Sequence, residues 1–104
     1  MISPTALLDN SVFKYGIVVT LYVRMYTNKT NNDNLVIGQL PSDCRPSRKI
    51  IKTTNITSPI PASAINFLCN AYLTIETNGN VYYAFATNAP NAEIYNEETI
   101  TFII

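Results

Sequence analysis

The chain has 104 residues, seven basic and seven acidic, no His, and a formal net charge of zero. An apolar fraction of 47% against 13% charged describes one ordered domain over residues 1–104, not a disordered chain. Without a basic excess nucleic acid is not an expected partner, and the longest uncharged apolar run, Gly16 to Val23, falls far short of the roughly 20 residues that cross a bilayer, so no membrane insertion is expected.

Residues 1–10 read as the end of a connector. Val12 to Tyr15 predicts a short strand, and Gly16 a tight turn or bulge. Ile17 to Tyr26 is the clearest strand. Ile17, Val19, Leu21, Val23 and Met25 share one face; Val18, Thr20, Tyr22, Arg24 and Tyr26 share the other. That second face is also fairly apolar, which, with the low charge, suits a chain that buries surface in an oligomer. Thr27 to Asn34, TNKTNNDN, reads as a loop by composition.

Leu35 to Leu40 is a second long-range strand, followed by the sequence PSDCRP. Gly38 predicts a kink or bulge inside the strand. Pro41 offers no N–H and ends the ladder, and Pro46 pushes Arg45 toward extended geometry. The segment is therefore expected to form a stiff corner, with Arg45 able to bond the turn's carbonyls or a neighbouring subunit's carboxylate. Arg48 to Ile56 is a strand, and Thr57 to Ala64, with its prolines, is not a central one.

In Ile65 to Glu76, Phe67, Cys69, Ala71, Leu73 and Ile75 fall on one side. Asn78-Gly79 then predicts a type I′ hairpin, with positive φ at both residues, into a strand from Val81 to Thr87. Asn88 to Asn96 reads as a loop, and Thr99 to Ile104 as the closing strand. Many short strands and no helical period predict an all-β, antiparallel β-sandwich of jelly-roll or Greek-key type.

Cys44 and Cys69 are far apart and lack CxxC spacing, so with no His they cannot build a four-ligand metal site, and no metal or cofactor is expected. A disulfide is possible but unforced; two buried or half-buried thiols are the favoured reading. The missing His also excludes Ser-His and Cys-His nucleophile pairs. Glu93 with Glu97 or Glu98 could face each other across a sugar, but solvated charges in a polar loop are the simpler reading, and the chain is not expected to be an enzyme.

The motif order carries a resemblance. Tyr15-Gly16, Val18 to Leu21, Gly38, Leu40-Pro41, Arg45-Pro46 and Asn78-Gly79-Asn80-Val81 follow one another between Ser11 and Ile104. In this order the chain resembles the C-terminal head domain of receptor-binding proteins of tailed phages of Gram-positive and related bacteria, of which lactococcal-phage heads are structural examples. Cys44 departs from that pattern, standing where such sequences more often carry an aromatic residue.

The resemblance implies a homotrimer at the distal end of a phage tail, joined to other tail or baseplate proteins in the virion. It also implies attachment to host cell-surface saccharide. Two other readings are a structural trimerising cap without a ligand and a depolymerase tip. Saccharides stack on aromatic faces and bond planar amides and carboxylates. Tyr26, Tyr72, Tyr82, Tyr83 and Tyr95 are available, although Tyr82 and Tyr83 must point to opposite faces, so that at least one packs. The expected site combines Tyr95 as stacking face with Asn88, Asn91, Asn31, Asn32 and Asp33, in the two Asn-rich loops. Gly38, Pro41, Arg45, Pro46, Asn78 and Gly79 are expected to be structural turn residues.

Overall fold

Alternation gives each strand an apolar face, and antiparallel pairing lets these faces meet across one core. The computed structural model describes residues 11–29, 33–57, 67–85 and 91–104. These residues form β1 (Val12–Tyr15), β2 (Val18–Lys29), β3 (Leu35–Gln39), β4 (Ile50–Thr57), β5 (Phe67–Ile75), β6 (Asn80–Phe85) and β7 (Ala92–Ile103). The fold is all-β: one curled antiparallel sheet of order β1-β2-β7-β4-β5-β6-β3. β4, β5 and β6 are successive neighbours and β7 returns beside β4, which is a Greek-key arrangement.

The core forms where expected. Val19, Leu21, Val23 and Met25 of β2 face Ala71, Leu73 and Ile75 of β5, Val81 and Tyr83 of β6, and Ile94, Ile100 and Phe102 of β7 within one buried cluster. Each fully buried Leu or Ile contributes on the order of 1.5–3 kcal/mol. Tyr83 packs in the core, as the Tyr82/Tyr83 alternation required. Both cysteines are free thiols, Cys44 buried and Cys69 half-buried.

Three boundaries differ from expectation. Ile17 does not join the core face. Tyr15 pairs with Val18, so Gly16 and Ile17 are the two central residues of a hairpin turn, and Gly16 has φ +64°. Positive φ at the first position alone is the type II′ pattern. Phe67 is also turned outward. The β4–β5 register passes from Ile56↔Cys69 to Thr57↔Phe67, so Leu68 is an extra residue, and the bulge reverses the face of what precedes it. Finally, β2 and β7 are both twelve residues long and pair continuously from Val18↔Ile103 to Lys29↔Ala92. Residues 92–98, expected mostly as loop, are strand.

The stiff corner and the Asn-Gly turn, far apart in the sequence, build one structure. The β3–β6 register slips between Val36 and Gly38, the expected bulge. Pro41 has φ −55° and ψ 153° and starts a single 3-10 turn, Ser42–Cys44; Arg45 is extended, and Pro46 is buried. The Arg45 Nε donates to the Leu40 carbonyl at 3.1 Å. Leu40 N–H in turn donates to the Gly79 carbonyl at 2.8 Å, and Gln39 Nε2 to the Asn78 carbonyl at 3.0 Å.

The hairpin itself is not type I′. Gly79 N–H donates to the Glu76 carbonyl, Glu76 N–H to the Asn80 carbonyl, and only Gly79 has positive φ, +91°. This is a type I turn closed by a left-handed glycine bulge, which needs one positive φ, not two. Asn78 serves differently: its Oδ1 accepts from Asn80 N–H at 3.0 Å.

Among the described residues β4 and β7 pair only at Thr57↔Tyr95, and toward Ile50 and Ile103 they diverge. Side chains bridge the opening. Asn96, buried among apolar neighbours, donates from Nδ2 to Thr54 Oγ1 and to the Asn55 carbonyl, both at 2.8 Å, and accepts from Tyr83 Oη at 2.6 Å. Further along, Thr54 Oγ1 donates to Glu98 Oε2 at 2.6 Å. Lys52 Nζ lies 2.8 Å from Glu98 Oε1 and donates to the Thr99 carbonyl at 3.0 Å. Burial pushes the Glu98 carboxyl up, but the bonds from Lys52 and Thr54 outweigh it, and the group sits below its ordinary 4.5.

Two predictions follow from these contacts. A Cβ at Gly79 would stand 2.7 Å from Arg45 Nε and 3.0 Å from the Leu40 carbonyl oxygen, whereas one at Gly16 would meet nothing within 4 Å. Gly16→Ala should therefore cost only left-handed strain, about 1–2 kcal/mol, and Gly79→Ala that strain plus overpacking, about 2–4 kcal/mol. Denaturant melts of the two variants measure the difference. A carboxyl held low in the folded state contributes stability that is present above 4.5 and lost as pH falls through the folded value. The melting temperature should drop as pH is lowered from 7 to 3, and drop less steeply in Glu98→Gln. A residual slope is expected, because Glu76 and Glu97 are also held low.

Candidate functional site

The long β2–β7 pair presents an outer face whose contents follow from register. In antiparallel strands directly opposed residues share a face. From one end, the outward pairs are Val18↔Ile103, Thr20↔Thr101, Tyr22↔Thr99, Arg24↔Glu97, Tyr26↔Tyr95 and Asn28↔Glu93. Polar and aromatic side chains therefore gather at the Asn28 end.

Around Glu97 they are mutually positioned. Tyr22 Oη donates to Glu97 Oε1 at 2.5 Å, and Arg24 Nε stands 3.9 Å from the same oxygen. The Arg24 guanidinium lies over the Tyr95 ring, 5.9 Å from its centroid, at cation–π distance. Hydrogen bonds from Tyr22, then Tyr95, hold the Glu97 carboxyl below its ordinary value, and the bond to Glu97 raises the Tyr22 hydroxyl. Glu97 is thus an ionised acceptor at neutral pH, with lone pairs left on a carboxylate that can take about four bonds. Tyr26 is 64% exposed beside the half-buried Tyr95.

A groove of about 480 Å³ adjoins this face, lined by Arg24, Met25, Tyr26 and Thr27 of β2 and by Leu35, Val36 and Ile37 of β3. Arg24 and Tyr26 belong to both features. The combination offers aromatic area, a planar cation, a planar anion and an apolar wall. Exposed ion pairs such as Arg24–Glu97 add little stability, but together with Tyr22 and Tyr95 they hold donors and acceptors in fixed positions on the surface.

The expected site residues fare unequally. Tyr95 is at the site, but on a strand rather than in a loop, half-buried and with the Arg24 guanidinium over its ring. Asn91 is exposed immediately before β7, and Asp33 exposed just before β3. Since Lys29 pairs with Ala92, the β2 end and the β7 start lie together, and the residues of the two expected loops that are described there, 27–29 and 92–96, are strand. Asn31, Asn32 and Asn88 lie outside the described residues. Asn96, expected in the same loop, is buried in the β4–β7 opening. Tyr82 is engaged elsewhere, donating to Glu76 Oε1 at 2.6 Å.

Sequence reasoning missed Arg24 and Glu97 as site members. The signal was present: Ala92, Ile94, Asn96, Glu98, Ile100 and Phe102 alternate with Glu93, Tyr95, Glu97, Thr99, Thr101 and Ile103, a strand pattern once a polar pair is allowed inside.

The carboxylates of this surface are not placed as a glycosidase pair. Glu97 and Glu98 point to opposite faces of β7. Glu93 and Glu97 share a face, but four strand residues place them about 13 Å apart, beyond the roughly 6.5–9.5 Å that an inverting glycosidase uses. Burial, then Asp43, raises the Cys44 thiol above its ordinary value, which disfavours the nucleophilic thiolate. Among the described residues no group of three or more His, Cys, Asp or Glu could hold a metal ion. No protein-family model, curated protein or solved structure matches the chain.

Proposed function

We propose that this domain is a saccharide-binding attachment module, the receptor-binding head at the distal end of a phage tail, acting as a homotrimer joined to other tail or baseplate proteins. The motif order between Ser11 and Ile104 supports the phage assignment. The observation that carries the binding role is the Tyr26–Tyr95 row, with Arg24 and Glu97 beside it and the groove at its edge. A sugar ring has an apolar C–H face for a tyrosine ring and equatorial hydroxyls for a carboxylate and a guanidinium. The carboxylate spacing favours holding a polysaccharide over cutting it. A shallow exposed site binds weakly alone, and three sites per head with several heads per tail multiply it.

A second reading, a trimerising cap with no ligand of its own, is favoured by one observation. The opposite end of the same outer face carries Phe13, Tyr15, Val18 and Ile103, all exposed.

Binding of host cell-wall polysaccharide to immobilised protein separates the readings. The parent should bind, and Tyr26→Ala and Tyr95→Ala should each weaken binding at least about tenfold, the loss expected when 1.4 kcal/mol or more of contact is removed. Melting temperature should stay within a few degrees for Tyr26→Ala. It should fall further for Tyr95→Ala, which also strips a partner from Arg24 and Glu97. The polysaccharide's chain length should be unchanged after incubation. A stable trimer that binds no cell-wall fraction supports the cap.

A further inference from the structure

Two open strand edges border the groove. Among the described residues β3 is the last strand of the order and pairs only with β6. β2 is covered by β1 only as far as Val12↔Leu21, and Tyr22 N–H adds one bond to the Ser11 carbonyl at 2.9 Å. That bond makes Ser11↔Tyr22 a hydrogen-bonded pair. By antiparallel alternation the N–H and C=O of Arg24, Tyr26 and Asn28 then point the same way, away from β7. Among the described residues no strand pairs with them on that side. Such a row of backbone donors and acceptors is a template for another strand. Here it borders a groove of about 480 Å³ whose far wall is Leu35, Val36 and Ile37 of β3.

We propose that residues 5–10 of the chain occupy this groove as a continuation of β1, paired with Val23 to Asn28 of β2. The occupant follows from the register. Carried beyond Ser11↔Tyr22, it sets Asp9 opposite Arg24, Leu8 opposite Met25, Leu7 opposite Tyr26 and Ala6 opposite Thr27. Opposed residues share a face. Leu8 and Ala6 therefore turn to the core side, where Met25 and β3 make an apolar wall, and Asp9 turns outward beside Arg24, which faces Glu97 on its other side. A guanidinium with five donors can serve both carboxylates. A slip of one residue would exchange the faces and put Asp9 on the side of Met25. Pro4, with no N–H to give a ladder, falls opposite Lys29, where β2 ends.

The segment is tethered at Ser11, so it reaches the open edge at any protein concentration. With it in place β2 is paired on both sides along nearly its whole length. The added strand goes beyond the attachment reading and leaves its aromatic row intact. Tyr26 and Tyr95 stay on the outer face, and Leu7 joins them there as an apolar border.

Nuclear Overhauser spectra of the isotope-labelled chain test this without any variant. Leu8↔Met25 would be a non-hydrogen-bonded pair, with Cα atoms about 4.5 Å apart, so their Hα protons should give a strong cross-peak. The amides of Arg24 and Tyr26 should exchange with solvent as slowly as that of Tyr22. In Leu8→Asp both should exchange at least tenfold faster, while Thr20 and Leu73 keep the parent's rates. A parent without the Leu8–Met25 cross-peak overturns the proposal, and so does a variant whose Arg24 and Tyr26 amides exchange as the parent's do. A cross-peak that arises only between chains, in a mixture of labelled and unlabelled protein, also overturns it, because the strand then comes from a second copy. The polysaccharide assay fails separately. A chain with the cross-peak that binds no sugar sinks the attachment role alone, and a chain that binds sugar without the cross-peak sinks the added strand alone.

Discussion

A polar cluster centred on buried Asn96 bridges the two halves of the sheet where β4 and β7 part. Among the described residues β4 and β7 share a single backbone pairing, at Thr57 and Tyr95, and toward Ile50 and Ile103 they part. Strands that part leave backbone groups to satisfy, and a buried N–H or C=O without a partner costs about 1–3 kcal/mol. Asn96 meets part of this need, beside Lys52 at the Thr99 carbonyl and Thr57 at the Tyr95 carbonyl. It reaches Thr54 and the Asn55 carbonyl across the opening and takes the Tyr83 hydroxyl from the core behind. No buried side-chain N or O among the described residues lacks a partner. Tyr83 is thereby fixed, its hydroxyl raised well above the ordinary range by burial and by the charge of Glu98. The groove lies where the curl brings β2, near one end of the strand order, toward β3 at the other.

Much of this architecture was legible because it is local. Alternation placed Val19, Leu21, Val23 and Met25 inside, and Asn78-Gly79 marked a hairpin. The prolines at 41 and 46 marked a corner, and the tie from Arg45 to a turn carbonyl was within reach of sequence reasoning. What escaped was decided by distant partners. Asn96 and Glu98 look like loop residues because their partners, Thr54, Lys52 and Tyr83, come from other strands, and a polar residue pointing inward breaks the apolar period that marks a strand. Phe67 followed its period in the sequence and left it in the structure, since a bulge at Leu68 is set by pairing to β4. The turn type went the same way: two positive-φ residues were available to be read, and the sheet used one. For the candidate site the residue type was legible, with Tyr95 foreseen, and the neighbours were not, because Arg24 and Glu97 meet only through the β2–β7 register.

That register makes a single surface out of unlike ends. Along one strand pair the outer face passes from Val18 and Ile103, through the bonded threonines, to Arg24, Glu97 and the paired tyrosines. A strand pair of twelve residues is twice the usual length, and the extra length is what allows apolar and polar halves to coexist without either crowding the other. Rigid strands also position side chains more narrowly than loops do, so ligand contacts placed there need less ordering on binding.

The same pairing has a kinetic side. Thr20 and Thr101 are neighbours in space and 81 residues apart in sequence. β2 emerges early in synthesis, yet its partner β7 is made last of the described strands, and until then β2 has only the short β1 beside it. Closing so long a loop costs entropy before any contact rewards it, and folds dominated by such distant pairings form in milliseconds to seconds rather than microseconds. Meanwhile a twelve-residue strand with apolar side chains on its core face waits without its main partner, the kind of exposed edge that other nascent chains can capture. The β4–β5–β6 meander, joined by near neighbours and closed by the Gly79 turn, is complete before β7 appears. It offers a preformed wall against which the β2–β7 pair can finally close.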